Sequence, residues 1–251
     1  MTEAASPTPF VHLRVHSEFS VVDGIVQIPD LVKQVASFGQ PAVALTDLSN
    51  IFGLIKFYKS ARGKGVKPIA GCDIWVQNEA DRDKPHRLLL LVRNNAGYLQ
   101  LCEILTRSWL ENQYAGRAEV KRQWLEGADG LIVLSGGRLG DIGQALEAGR
   151  DAEAQVLAQQ WAARFPGAFY IELQRSGADG DEPYVQAAMR LAATTSSSGV
   201  IAALRSCGRA AGTGPAGAGS GTGSPRHRRT EAGSPRRSAA SRAAWSGRTR
   251  R

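Results

Sequence analysis

The stretch VHLRVHSEFSVVDG, residues 11–24, organises the rest of the chain. Val11, Leu13 and Val15 alternate with His12, Arg14 and His16, the period of a β-strand with one apolar and one polar face. A strand that turns imidazoles and a guanidinium to one side points them at a pocket or at solvent. Ser17, Ser20, Asp23 and Gly24 follow as a polar loop, the kind of segment that completes a site at a strand end. Outward from here the pattern becomes helix, strand, helix. Residues 28–38 place Ile28, Leu31, Val32, Val35 and Phe38 at helical spacing, with Pro29 in the first turn and Gly39 just past the end. Residues 41–45 (PAVAL) read as a short buried strand leading to Thr46, Asp47, Leu48, Ser49 and Asn50.

The alternation continues along the chain. A helix is expected over 52–62, a strand over 66–76 interrupted by Gly71, a strand over 83–92 and a helix over 96–112. Residues 130–134 (GLIVL) form a buried strand followed by Ser135, Gly136 and Gly137; helices over 141–148 and 151–165, a strand over 169–173 (FYIEL) and a helix over 182–193 complete it. Strands alternating with helices argue a parallel α/β layout, either a barrel or a doubly wound sheet, with ligands at the C-terminal ends of the strands. Polar groups follow nearly every strand, at residues 16–23, 47–50, 73 and 135–137, which favours a barrel mouth.

The chain has 251 residues, and its 43% hydrophobic content suffices for a sizeable core. Its longest apolar run, residues 88–92, is far too short to span a membrane, and residues 1–10 lack the pattern of a secretory signal. Cys72, Cys102 and Cys207 are far apart and without CxxC spacing. They read as reduced thiols of a cytoplasmic protein rather than a disulfide frame or a zinc site. The formal charge of +8 is unevenly placed: residues 196–251 hold 11 Arg, no Lys and one acid, Glu231, while the preceding 195 residues carry 20 basic and 22 acidic side chains. The basicity therefore says nothing about what the folded part binds.

Three segments are expected: a flexible N-terminus over 1–9, a folded domain over 10–195 and a tail over 196–251. The tail is Gly, Ala, Ser, Arg, Pro and Thr with almost no periodic apolar residues, a composition that stays disordered because it cannot bury enough apolar surface. A basic arm for nucleic acid is one reading of it. The absence of Lys beside so much Arg, Gly, Ala and Pro favours another, a GC-rich gene translated out of frame.

Seven segments in order resemble the N-terminal PHP (polymerase and histidinol phosphatase) domain of bacterial DNA polymerase III alpha subunits. They are FVHLRVHSEFSVVDG (10–24), ALTDLSNIFGLIKFY (44–58), GKGVKPIAGCDIWV (63–76), LLLLVRNNAGYLQLCEIL (88–105), GLIVLSGGRLGDIG (130–143), FPGAFYIELQR (165–175) and YVQAAMRLA (184–192). The resemblance covers residues 10–195. Beyond it the family continues with a strand bearing an Asp or His, where this chain has VIAALRSCGR (200–209), which supports the out-of-frame reading and leaves an open sheet edge.

The resemblance implies a distorted (β/α)7-type barrel, incomplete at its C-terminal end, with a metal site at the mouth in competent members. Those members read HxHxH where this chain has His12, Arg14 and His16, and TDH where it has Thr46, Asp47 and Leu48. The third motif's acid corresponds to Asp73, a strand-opening His to Arg87, and a Cys to Gly137. The residues give the same tally. Along a strand His12 and His16 lie roughly 13 Å apart, too far to share one ion. Arg14 stands between them as a permanent cation, and Leu48 has no lone pair. His16, Asp23 and Asp73 remain as residual metal candidates, short of a multinuclear set, and no functional metal cluster and no catalytic residue is expected. Arg14 paired with Asp23, Asp47 or Asp73 would stand in for the metal.

The remaining features read as structural: His12 at a strand edge, Cys72 and Cys102 in the core, and Trp109, Trp124 and Trp161 as packing. Ser135, Gly136 and Gly137 ahead of a helix are weak evidence for an anion site. In the family the full subunit is a DNA-directed DNA polymerase, a nucleotidyltransferase working with Mg2+ in a palm domain beyond this chain. The implied role here is a structural and docking module without a cofactor. Its partners by resemblance are the proofreading exonuclease and other replicase subunits, with DNA reached through the whole polymerase and no membrane. A metal-dependent PHP phosphoesterase or 3′-5′ exonuclease is the alternative enzyme reading, and a basic-tail nucleic-acid-binding protein the third.

Overall fold

Strand β2 (Lys67–Val76) holds the fold together because it has a different partner at each end. Its first half runs parallel to β1 (Ala42–Leu45), from Ala42 opposite Lys67 to Leu45 opposite Ala70. From Gly71 onward it runs antiparallel to β3 (His86–Val92), with Gly71 opposite Leu91 and Val76 opposite His86. The strand is therefore continuous through Gly71, where an interruption was expected. Glycine is required by close packing: a Cβ there would meet the Leu90 carbonyl oxygen at 2.6 Å, the Leu91 side chain at 2.8 Å and the Thr46 methyl at 2.9 Å. Gly71→Ala is expected to cost about 1–3 kcal/mol through forced strand separation, read as a lower midpoint in urea unfolding with an unchanged slope.

The computed structural model describes residues 10–195 and 199–204. The reading of 1–9 as flexible, and that of the 196–251 tail as disordered over 196–198 and 205–251, lie outside the described residues. Eight strands form one sheet in the order β4-β5-β2-β3-β6-β7-β8, with β1 paired to β2 off that path. The remaining strands are β4 (Gln113–Tyr114), β5 (Arg117–Val120), β6 (Leu131–Leu134), β7 (Phe169–Arg175) and β8 (Gly199–Leu204). The helices are α1 (Ile28–Ser37), α2 (Leu54–Gly63), α3 (Asn95–Glu111), α4 (Asp141–Glu147), α5 (Asp151–Arg164) and α6 (Asp181–Thr194).

The α/β class holds, but the sheet is mixed rather than parallel. β3 is antiparallel to both β2 and β6, because a short connection over residues 77–85 returns the chain directly alongside β2. The β4–β5 hairpin, turned through Ala115 and Gly116 at positive φ, went unread in the sequence because its strands are only two and four residues long. β8 pairs parallel with β7 from Tyr170 opposite Gly199 to Arg175 opposite Leu204. It extends the sheet into residues read as tail, so the expected open edge after β7 is covered. Among the described residues the sheet still does not close into a barrel.

The opening stretch is not a regular strand. His12 makes a single parallel bridge to Val43, and the amides of Ala44 and Thr46 donate to the carbonyls of His12 and Val15. Two steps along residues 44–46 thus match three along residues 12–15, the offset of a bulge in the opening segment.

Alternation sorts the strands between two apolar layers. Cys72, Ile74 and Val76 of β2, Leu88 and Leu90 of β3, and Ile171 and Leu173 of β7 face the helices in the largest core cluster. Leu89 and Leu91 join Ala44 and Leu134 on the other face, with Leu13, Ile69 and Tyr170 packed against them. α1 and α2 cover β1 through Ile28, Val32, Phe57 and Ala61.

Candidate functional site

The inward positions of these strands converge on a charged cluster. Asp73 on β2, Arg87 on β3 and Glu172 on β7 each share a face with the inner apolar layer, two residues from Gly71, Leu89 and Tyr170 respectively. β3 runs against β2, so Arg87, near the start of its strand, reaches the same end of the sheet as Asp73, near the end of its own. The opening segment brings Arg14 and His16 over the three.

Arg14 is the hub. Its Nε and Nη2 fork onto the two carboxylate oxygens of Glu172 at 2.7 and 2.8 Å, and its Nη1 donates to Asp73. Arg87 donates to both oxygens of Asp73, through Nε at 3.1 Å and through Nη2. Its guanidinium also lies over the Trp75 ring, 4.4 Å from the centroid. His16 faces a carboxylate with each ring nitrogen: Nε2 is 3.2 Å from Asp73 and Nδ1 is 2.9 Å from Asp23. Asp23 accepts from the Ser20 hydroxyl at 2.6 Å and lies 3.7 Å from Arg87, so the loop is fastened to the cluster. Glu172 is held from behind. Its amide donates to the Ser135 hydroxyl at 3.0 Å, its carbonyl accepts from Tyr184 at 2.6 Å, and its carboxylate accepts from Gln174 at 2.7 Å.

Asp73 and Glu172 are fully buried. Burial alone raises the pKa of Asp73, but Arg14 and Arg87 beside it, with hydrogen bonds from His16 and Arg87, hold it well below the usual carboxylate range. Burial likewise disfavours the charge of Arg14, and Asp73 and Glu172 more than restore it, leaving its pKa above the ordinary value. Burial and the neighbouring Glu172 charge push the Tyr184 hydroxyl up. The cluster borders a cavity of about 360 Å³ lined by Arg14, His16, Asp23, Asp73, Arg87 and Gln174, with Ile25 and Leu139 at its rim.

Of the residues singled out in the sequence, the fold brings Arg14, His16, Asp23, Asp73 and Arg87 together. Asp47 is set apart: it accepts from the Ser17 amide at 2.6 Å and the Ser17 hydroxyl at 3.0 Å, and burial pushes its pKa up. Arg14 therefore pairs with Asp73 and not with Asp47 or Asp23. Leu48 contributes its backbone, bridging to Asp73 and donating its amide to Ser20. Gly137, at φ +61°, sits against Gln174, and its neighbour Gly136 lines the cavity. His12 packs edge-on against Phe10 at 4.8 Å. Glu172 was missed; the signal was a lone acid inside the apolar run FYIEL.

A metal ion requires free lone pairs and the absence of fixed positive charge. Here the oxygens of Asp73 and Glu172 are already taken by two guanidinium groups that cannot be deprotonated. Among the described residues, no three His, Cys, Asp or Glu side chains form a set able to hold an ion. The residues present do not fit the metal site that the family resemblance brings.

The family model for the PHP domain matches residues 12–176. The chain belongs to the PHP domain family. Among curated proteins, this PHP chain is 47% identical over 184 residues to the DNA polymerase III subunit alpha of Pseudomonas aeruginosa, covering 73% of the chain and 16% of the relative. The corresponding subunits of Vibrio cholerae and Escherichia coli K12 are 42% and 41% identical over 188 and 184 residues, again with 16% of the relative covered. The chain thus spans about one sixth of the length of these relatives. Among solved structures, an amidohydrolase from Chromobacterium violaceum overlaps 38% of this chain and 32% of its own at a TM-score of 0.32 and 21% identity, too little to add to the argument. No helix among the described residues is long and apolar enough to cross a membrane.

Proposed function

We propose that this chain serves as the PHP region of a DNA polymerase III alpha subunit, acting as a scaffold and as a docking surface for the proofreading exonuclease subunit, without phosphoesterase chemistry of its own. The observation that carries this reading is the Arg14 fork on Glu172, continued through Asp73 to Arg87. The opening segment, β2, β3 and β7 are cross-linked by charge where a hydrolytic PHP enzyme would need open donors around metal and water. Polymerisation, with its Mg2+ and its palm carboxylates, belongs to the part of the relatives that this chain does not span. DNA and the other replicase subunits are reached through that whole protein, in the cytoplasm.

Two measurements on the purified chain test the reading. Metal analysis is expected to find zinc and manganese far below one ion per chain, and a 3′-mismatched primer is expected to remain untrimmed. Stoichiometric metal together with trimming that disappears in His16→Ala would replace the scaffold reading with an enzymatic one. Co-purification with the proofreading exonuclease subunit tests the docking role, and failure to co-purify removes it.

A further inference from the structure

Strand β7 is held by two different neighbours along its length. Phe169 and Tyr170 pair with Val133 and Leu134 of β6, and there that ladder ends. From Ile171 to Arg175 the only ladder partner among the described residues is β8, in register from Val200 opposite Ile171 to Leu204 opposite Arg175. Glu172, opposite Ile201, sits in this outer half. Its amide turns toward β6 and donates to the Ser135 hydroxyl at 3.0 Å. Successive peptide groups of a strand face opposite sides, so the amides of Ile171 and Leu173 turn toward β8. The carboxylate that meets the Arg14 fork at 2.7 and 2.8 Å therefore hangs on a stretch of backbone whose other side is fixed by residues 199–204.

Those six residues, GVIAAL, belong to the segment read as tail. They are uncharged, free of proline and include two β-branched side chains, whereas the stretch after them is rich in Gly, Ser, Pro and Arg. Strand addition is held by main-chain hydrogen bonds, so an open edge accepts an uncharged extended segment without a family-specific sequence. We infer that residues 199–204 are a positioning strand: by completing the ladder along residues 171–175 they hold Glu172 in place for Arg14. Without them that half of β7 is an open edge, water reaches the ion pair, and the pair weakens toward the worth of a solvated one. The domain accordingly ends at residue 204 and not at 195. This concerns the ion cluster itself and stands whether or not the chain docks an exonuclease.

Ile201→Pro with Ala202→Pro in the 251-residue chain tests it, because adjacent amides face opposite sides and one of these two faces β7. Proline at Ala210 and Ala211 controls for effects on the unfolded chain. In the unmodified chain, amide hydrogen exchange is expected to be slow at Ile171 and Leu173. In the proline pair it is expected to rise about tenfold or more at those two positions, while Leu88 and Leu90 of β3 keep their protection. A double-mutant cycle of Arg14→Ala with Glu172→Gln, repeated on the proline pair, is expected to lose about half or more of its coupling, which a general loss of stability does not move. If the proline pair fails to fold, Ile201→Gly with Ala202→Gly takes its place, since glycine weakens a strand without removing an amide. Fast exchange at Ile171 and Leu173 in the unmodified chain overturns the inference. So do exchange and coupling in the β8 variants that match those of the control. Metal content and primer trimming are read separately, so failure here is distinct from failure of the scaffold reading.

Discussion

Arg14→Ala is expected to lower the unfolding free energy by about 3–5 kcal/mol, the usual cost of removing one partner from a buried ion pair. Glu172 is fully buried and receives both of its charge-assisted bonds from Arg14; without them its carboxylate keeps only the Gln174 amide. Asp73 keeps Arg87 and His16, so most of the penalty falls on Glu172. A double-mutant cycle separates the two. Glu172→Gln combined with Arg14→Ala is expected to cost much less than the sum of the single changes, because neither then strands a charge. Urea unfolding measures all three, and additive losses would show that the pair is not coupled.

Asp73→Asn carries the second large effect, again about 3–5 kcal/mol, because it removes the carboxylate shared by two guanidinium groups and strands that of Arg87. Arg14 retains Glu172, but Arg87 retains only the distant Asp23, at 3.7 Å, and the Trp75 ring. The same residue sets an acid limb. Its folded pKa lies below the unfolded value of about 3.9, so its contribution to stability is fully present above about pH 5 and is lost as pH falls toward the folded value. Unfolding free energy is therefore expected to be level in this contribution from pH 5 to neutrality and to decline below pH 4. Asp73→Asn should flatten that decline while lowering the plateau. An unchanged acid limb in the variant would mean that other carboxylates set it.

Much of the fold and part of the site were legible in the sequence. The helix over α1 followed from apolar spacing with Pro29 and Gly39 at its ends, and the structure places it at Ile28–Ser37 with Gly39 at φ +65°. Asp73 and Arg87 were found through the family resemblance, which implies a ligand position at each. Glu172 is a lone acid in an apolar run, but its partner lies 158 residues away, and nothing in a single segment announces a contact at that separation. The strand at Gly199–Leu204 was hidden by its surroundings, a short apolar run at the head of a long polar, arginine-rich stretch.

The sequence by itself determined which residues alternate, which helices have an apolar face, and that two arginines and a leucine stand where the family resemblance implies imidazoles. Those are properties of side-chain type and spacing, and they do not depend on where the chain goes next. Only the tertiary structure decided that β3 runs antiparallel to β2, that the opening segment carries a bulged offset, and that β7 delivers Glu172 beneath Arg14. Strand direction and pairing are settled by how whole layers pack, and one reversal of β3 would carry Arg87 to the far end of the sheet, away from Asp73.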